Sequence, residues 1–214
     1  MIRLLATSAG TPRVIGTLHG EPVRSSIGKA PVAEPRVFVG RTNIAGDAQA
    51  DLAVHGGPDK AIYVYPSDNW PWWEREHAVA CRPNSFGENL TVEGANETAI
   101  RIGDRFRWGE ALLEVSQPRG PCYKLGMALR ADVPRLMTLS ARAGWYCRVL
   151  EEGQAPTIGM LEHIPASDAP SVRDAFLAAY HPHVPKALVD AVWAAPALAE
   201  NWKSAVAKRR EPAR

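Results

Sequence analysis

A chain of 214 residues with a formal net charge of +2 can bury one main core with room for a small appendage. Hydrophobic residues at 46% and charged residues at 22% exclude disorder and fibrous architectures, and so mild a charge lacks the concentrated basic stripe of a nucleic-acid binder. With no 18-residue apolar run and no charged-then-apolar leader at Met1–Gly10, the chain is expected in the cytoplasm, with neither membrane nor nucleic-acid polymer as a partner.

Residues 1–165 alternate short apolar runs with Gly, Pro, Asn and Asp, the texture of a barrel or sandwich, and form the first expected domain. Ala61 to Tyr65 reads as a strand, and a helix beginning near Ser67 puts Trp70, Trp73 and His77 on one face. Trp70, Trp72 and Trp73 are read as packing residues. Leu90 to Val92 is a short strand; Arg105–Trp108 and Ala111–Val115 pair as a hairpin across Gly109 and Glu110. A helix is expected from Asp132 to Ala143, ended by Gly144, and Trp145–Tyr146–Cys147 reads as core strand.

Residues 166–210 change to helical spacing and form the second expected domain, a three-helix bundle. Ser171 and Asp174 make a capping box ahead of Val172, Ala175, Phe176, Ala179 and Tyr180. Pro185 opens a helix burying Leu188, Val189, Val192 and Trp193; Pro196 opens a third with Leu198, Trp202 and Val206. From Lys208 onward the chain reads as a frayed, solvated tail.

Three cysteines, at 81, 122 and 147, form no disulfide framework and no CxxC knuckle, so any cysteine chemistry belongs to single thiols. Cys122 follows a strand on a loop with two prolines, between Arg119 and Lys124; nearby cations favour the thiolate that attacks electrophiles or binds a soft metal. A buried structural cysteine is the competing reading, and it is kept for Cys81 and Cys147. The run His55, Gly56, Gly57, Pro58, Asp59, Lys60 can cradle an anion on backbone N–H groups, or can be a plain tight turn. Gly87, Glu88 and Asn89 either face a pocket or satisfy their own backbone.

In order, VHGGPDKAIYVYP from Val54, FGENLTVEG from Phe86, IGDRFRWGEALLEVSQPRGPCYKL from Ile102 and GWYCRVLEEG from Gly144 resemble the MOSC family, in its YiiM-type branch. That branch carries a C-terminal three-helix extension, so the resemblance spans nearly the whole chain. It implies a mainly β, barrel-like MOSC domain followed by the small helical bundle. It also implies a molybdenum cofactor (molybdopterin) with Cys122 as metal ligand and catalytic residue. His55, Gly56, Gly57, Lys60, Gly87, Glu88, Asn89, Arg119 and Lys124 are then the residues expected around the cofactor. The implied activity is reduction of small N-hydroxylated compounds, such as base analogues. No flavin, haem or iron–sulfur signature is present, so electrons must come from an external reductase. The alternative is a carrier or binding module that holds the cofactor or sulfur without turnover.

Overall fold

The computed structural model describes residues 2–49, 56–166 and 168–210. Seven strands close into a barrel: β1 (Ile2–Ala9), β12 (Gly159–Ile164), β8 (Arg105–Trp108), β9 (Ala111–Pro118), β10 (Trp145–Glu151), β6 (Ile62–Pro66) and β7 (Leu90–Glu93), which returns to β1. All pairings in the ring are antiparallel except β6 with β7. A parallel pair needs a crossover, and here it carries α1 (Trp70–His77). Closure depends on β1, which pairs with β12 through Ile2–Leu4 and with β7 through Arg3–Thr7, the register shifting between Leu4 and Ala6. A closed ring leaves no sheet edge for misassembly.

The β8–β9 turn is Gly109–Glu110 as expected, and the glycine is required there. Gly109 has φ 61°, and a Cβ would stand 2.6 Å from the Gln154 carbonyl oxygen. Phe106 and Trp108 point inward while Arg105 is exposed; β9 is buried along its whole length. Trp145, Cys147 and Val149 alternate inward on β10, so the barrel centre is aromatic and aliphatic. Each such side chain, once buried, contributes about 1.5–3 kcal/mol.

Smaller elements decorate this ring. A hairpin of β2 (Arg13–Leu18) and β3 (Glu21–Ser25) turns through His19 and Gly20, both at positive φ. Two-residue strand β4 (Ala30–Pro31) extends the sheet beside β1, and β5 (Arg36–Val39) pairs with β11 (Gly153–Pro156). Between β9 and β10 lie α2 (Tyr123–Ala128), which the sequence did not announce, and α3 (Val133–Ser140). Helix α3 stops three residues earlier than expected. Ala141 adopts the left-handed conformation and bonds back to Met137, while Gly144 (φ 66°) serves the barrel instead, passing so close to Val64 that a Cβ would lie 2.4 Å from its carbonyl oxygen.

The bundle comprises α4 (Val172–Tyr180), α5 (Lys186–Ala194) and α6 (Glu200–Arg210). The capping box forms as read, with Asp174 N–H donating to Ser171 Oγ and Ser171 N–H to Asp174 Oδ2, each at 3.0 Å. Three helix assignments need correcting. Pro185 caps α5 rather than entering it, and Trp193 is 39% exposed rather than buried, with the Arg210 guanidinium 4.0 Å above its ring. Pro196 lies in the link before α6, which starts at Glu200, so Leu198 is buried ahead of the helix. Lys208–Arg210 are helical, and Arg210 pairs with Asp190 at 2.8 Å. The bundle shares the barrel's core and backbone: Ala199 N–H donates to Ser116 at 2.9 Å and Val172 N–H to Ile100 at 2.8 Å. Among the described residues no helix is long and apolar enough to cross a membrane.

Candidate functional site

At one end of the barrel the β9–α2 turn, the β6 strand, the start of β10 and the segment after β3 converge on a cleft of about 590 Å³, open mouth included. Arg119 directly follows β9 and is held by several contacts. Its N–H donates to Gly144 at 3.3 Å, its Nη1 to Gly120 at 3.2 Å, and its guanidinium stands 5.2 Å over the Tyr63 ring. Only 5% exposed, it keeps its charge: burial opposes ionisation, but Tyr63, Tyr146, Cys122 and Glu88 outweigh that and hold its pKa above the usual value. Helix α4 backs this turn, since a Cβ on Gly120 would meet Tyr180 Oη at 2.8 Å.

Cys122 caps α2 in extended conformation (φ −138°), and its carbonyl accepts from Leu125 N–H at 3.0 Å. The residue is half-buried and lines the cleft. Around it the cleft brings together four cations, Lys29, Lys60, Arg119 and Lys124, with no carboxylate among its described lining residues. Burial lowers the pKa of Lys60, partly offset by Asp59. The opposite wall is aromatic. Phe86 stacks on Tyr65 at 4.0 Å, Tyr65 meets Tyr63 edge-on, and Tyr63 contacts Tyr146 at 5.2 Å.

Beneath the cleft lies a polar network. Asp47 Oδ1 accepts from Gly10 N–H at 3.0 Å; its Oδ2 accepts from Lys29 Nζ at 3.0 Å and Asn89 Nδ2 at 2.9 Å. Asn89 in turn accepts from Tyr63 N–H at 3.0 Å and donates its own N–H to Tyr63 at 2.7 Å. Lys29 has its pKa lowered because burial outweighs the Asp47 charge.

The expected residues distribute unevenly. Lys60, Gly87, Asn89, Arg119, Cys122 and Lys124 line the cleft; Gly56 and Gly57 are not among its lining residues. His55 lies outside the described residues. Glu88 is a correction: fully buried, it accepts from Asn84 N–H at 2.7 Å, Phe86 N–H at 3.0 Å and Thr91 Oγ1 at 2.8 Å, so its carboxylate folds the loop rather than facing the cleft. Burial pushes its pKa up against those bonds. Lys29, Tyr63 and Tyr146 were missed by sequence reasoning. The tyrosines sit in runs that read as core strand, and Lys29 acquires meaning only beside Asp47, 18 residues on.

The donor set is soft and sparse. Among the described residues no group of three or more His, Cys, Asp or Glu is placed to hold a metal ion, so a metal in this cleft would need most of its ligands from an organic group, with the Cys122 thiol as the soft donor on the wall. A cationic cleft with one thiol on its wall fits an anionic, phosphate-bearing cofactor of that kind.

A family model described as the MOSC domain matches residues 51–165. The chain belongs to the MOSC family. This MOSC protein is 36% identical over 210 residues to the uncharacterized protein YflK of Bacillus subtilis, covering 97% of the chain and 94% of the relative. The crystal structure of YiiM from Geobacillus stearothermophilus superposes with a TM-score of 0.80 at 30% identity, covering 99% of this chain and 100% of that one. A protein of Gibberella moniliformis named reductase is 36% identical over 157 residues, 69% of this chain and 27% of that longer protein.

Proposed function

We propose that this MOSC protein holds a molybdenum cofactor in the cleft, with Cys122 as metal ligand, and reduces small N-hydroxylated compounds in the cytoplasm with electrons from a partner reductase. The observation that carries the reading is the convergence of Cys122 with Lys29, Lys60, Arg119 and Lys124 in one cleft without a lining carboxylate among the described residues. Family membership and the similarity to a protein named reductase support the same direction.

When bound, the cofactor supplies the two-electron exchange of an oxygen atom that no side chain here can perform. The net reaction breaks the N–O bond: R–NH–OH, two electrons and two protons give R–NH₂ and water. The chain's own residues do the rest. Arg119, fixed by Gly144, Gly120 and the Tyr63 ring, gives a permanent charge for the anionic part of the cofactor, and Lys60 and Lys124 add to it. Phe86, Ile27 and Tyr63 exclude water from one wall. A proton on Lys60 Nζ is held less firmly than on an ordinary lysine, which suits it to meet the proton demand of N–O cleavage.

The test is turnover with a chemical reductant. Protein from a cofactor-competent host, given dithionite-reduced methyl viologen and an N-hydroxylated adenine analogue, should form the amine catalytically. Bound molybdenum without amine formation would instead establish a carrier.

A further inference from the structure

On the other side of the Cys122 turn, β2, α2 and α3 frame a second, shallow groove. Cys122 is the one described residue that lines both it and the cleft. Resting on the reductase reading above, we propose that this groove is the docking face for the electron donor, an electron-transfer protein whose apolar contact patch is rimmed by carboxylates.

The composition of the groove is that of a protein interface. Its walls are Leu18, Pro121, Tyr123, Met127 and Pro134, with Arg135 as the only charged side chain among the described lining residues. Aromatic residues, Met and Arg are enriched in interface centres, while Lys, Asp and Glu are depleted. Leu18 is 42% and Tyr123 53% exposed, and Leu139, the residue after the lining Thr138, is 58% exposed. Large apolar groups clustered in water mark a binding face. A small substrate is a poor occupant, because such ligands occupy concave sites that bury most of their surface, and this groove is open along its length.

Charge selects the partner. Arg135 makes no ion pair among the described residues, while Lys124, next to Tyr123 in the chain, belongs to the cleft side of the turn. The neighbouring carboxylate of Asp132 is already held by Arg130 at 2.6 Å. The rim is therefore positive, which steers an acidic partner and repels a second copy of the same face. Position supplies the reason for docking here: the groove is the far side of the turn that carries the thiol, so a carrier seated on it reaches the redox site without entering the cleft that cofactor and substrate occupy. Two electrons are needed per N–O bond, so a one-electron carrier is oxidised in two successive visits and a two-electron carrier in one; two protons come from water, and no bond forms between the proteins.

Two acidic carriers, a flavodoxin and a plant-type ferredoxin, serve as probes, with Arg135→Glu and Leu18→Glu as variants. Binding is read by anisotropy of the labelled carrier against sodium chloride, and turnover is compared between reduced carrier and reduced methyl viologen. The expected result is saturable, salt-weakened binding of at least one carrier to the wild type. Each substitution should raise that carrier's KM at least tenfold, with viologen-driven turnover within twofold of wild type. Carrier KM unchanged in both variants, or no binding of either carrier to the wild type, overturns the docking face while viologen turnover persists. Absence of viologen turnover in the wild type is a different failure, that of the reductase reading itself.

Discussion

Replacing Asp47 by alanine tests the network under the cleft. The carboxylate, 8% exposed, accepts from Lys29 Nζ, Asn89 Nδ2 and Gly10 N–H at 2.9–3.0 Å. Its removal leaves the Lys29 ammonium, whose side chain is 8% exposed, without its counter-charge. Breaking a buried pair from one side costs about 3–5 kcal/mol. Lys29 also lines the cleft and gains some hydration there, so the lower end applies, about 3 kcal/mol. For a chain of this size that lowers Tm by roughly 6–12 °C. Urea unfolding followed by tryptophan fluorescence gives the free energy directly. The double variant Asp47→Ala/Lys29→Met removes both charges and should recover part of the loss. A single-variant loss below about 1 kcal/mol, or a double variant no more stable than the single, would refute the claim that a buried ion pair organises the cleft floor.

Burial pushes the carboxyls of Glu88 and Glu97 above their ordinary value of 4.5, so the native state binds more protons than the unfolded state just above that pH. Stability from these groups must then fall as pH rises from 4.5 through their folded pKa; Glu97→Gln should flatten that slope in urea titrations at successive pH values. Burial, with Glu74 and Glu88 adding to it, pushes the Cys81 thiol up to about 12. At pH 8 iodoacetamide should therefore label Cys81 about a thousandfold more slowly than an ordinary cysteine, by peptide mass spectrometry. Gly144→Ala combines a left-handed backbone with a Cβ 2.4 Å from the Val64 carbonyl oxygen. A loss of about 2–4 kcal/mol is expected in the same urea assay.

Local chemistry was legible in the sequence where one short segment contained the whole signal. The β8–β9 hairpin is written in Gly109–Glu110 between alternating runs, and α4 in Ser171 and Asp174. Gly144 was misplaced because a helix end and a close strand approach both call for positive φ, and only the proximity of Val64 decides between them. Helix α2 escaped notice because six residues after Gly120–Pro121 carry no amphipathic period. Closure of β1 on β12 pairs Ile2 with Leu161 and leaves no local trace. At the site, Cys122, Arg119 and Lys124 share one turn and could be read together. Lys29, Asp47 and Tyr146 meet there only once the barrel has formed, and the neighbours that consume the Glu88 carboxylate are likewise invisible until the loop folds.

The most direct test of the central claim is molybdenum per chain, by elemental analysis of protein from a cofactor-competent host, wild type against Cys122→Ser. The account predicts about one metal per chain, from one thiol ligand in one cleft, and its loss in the variant, with Cys81→Ser unchanged. Equal molybdenum in wild type and Cys122→Ser, or none in either, would contradict it.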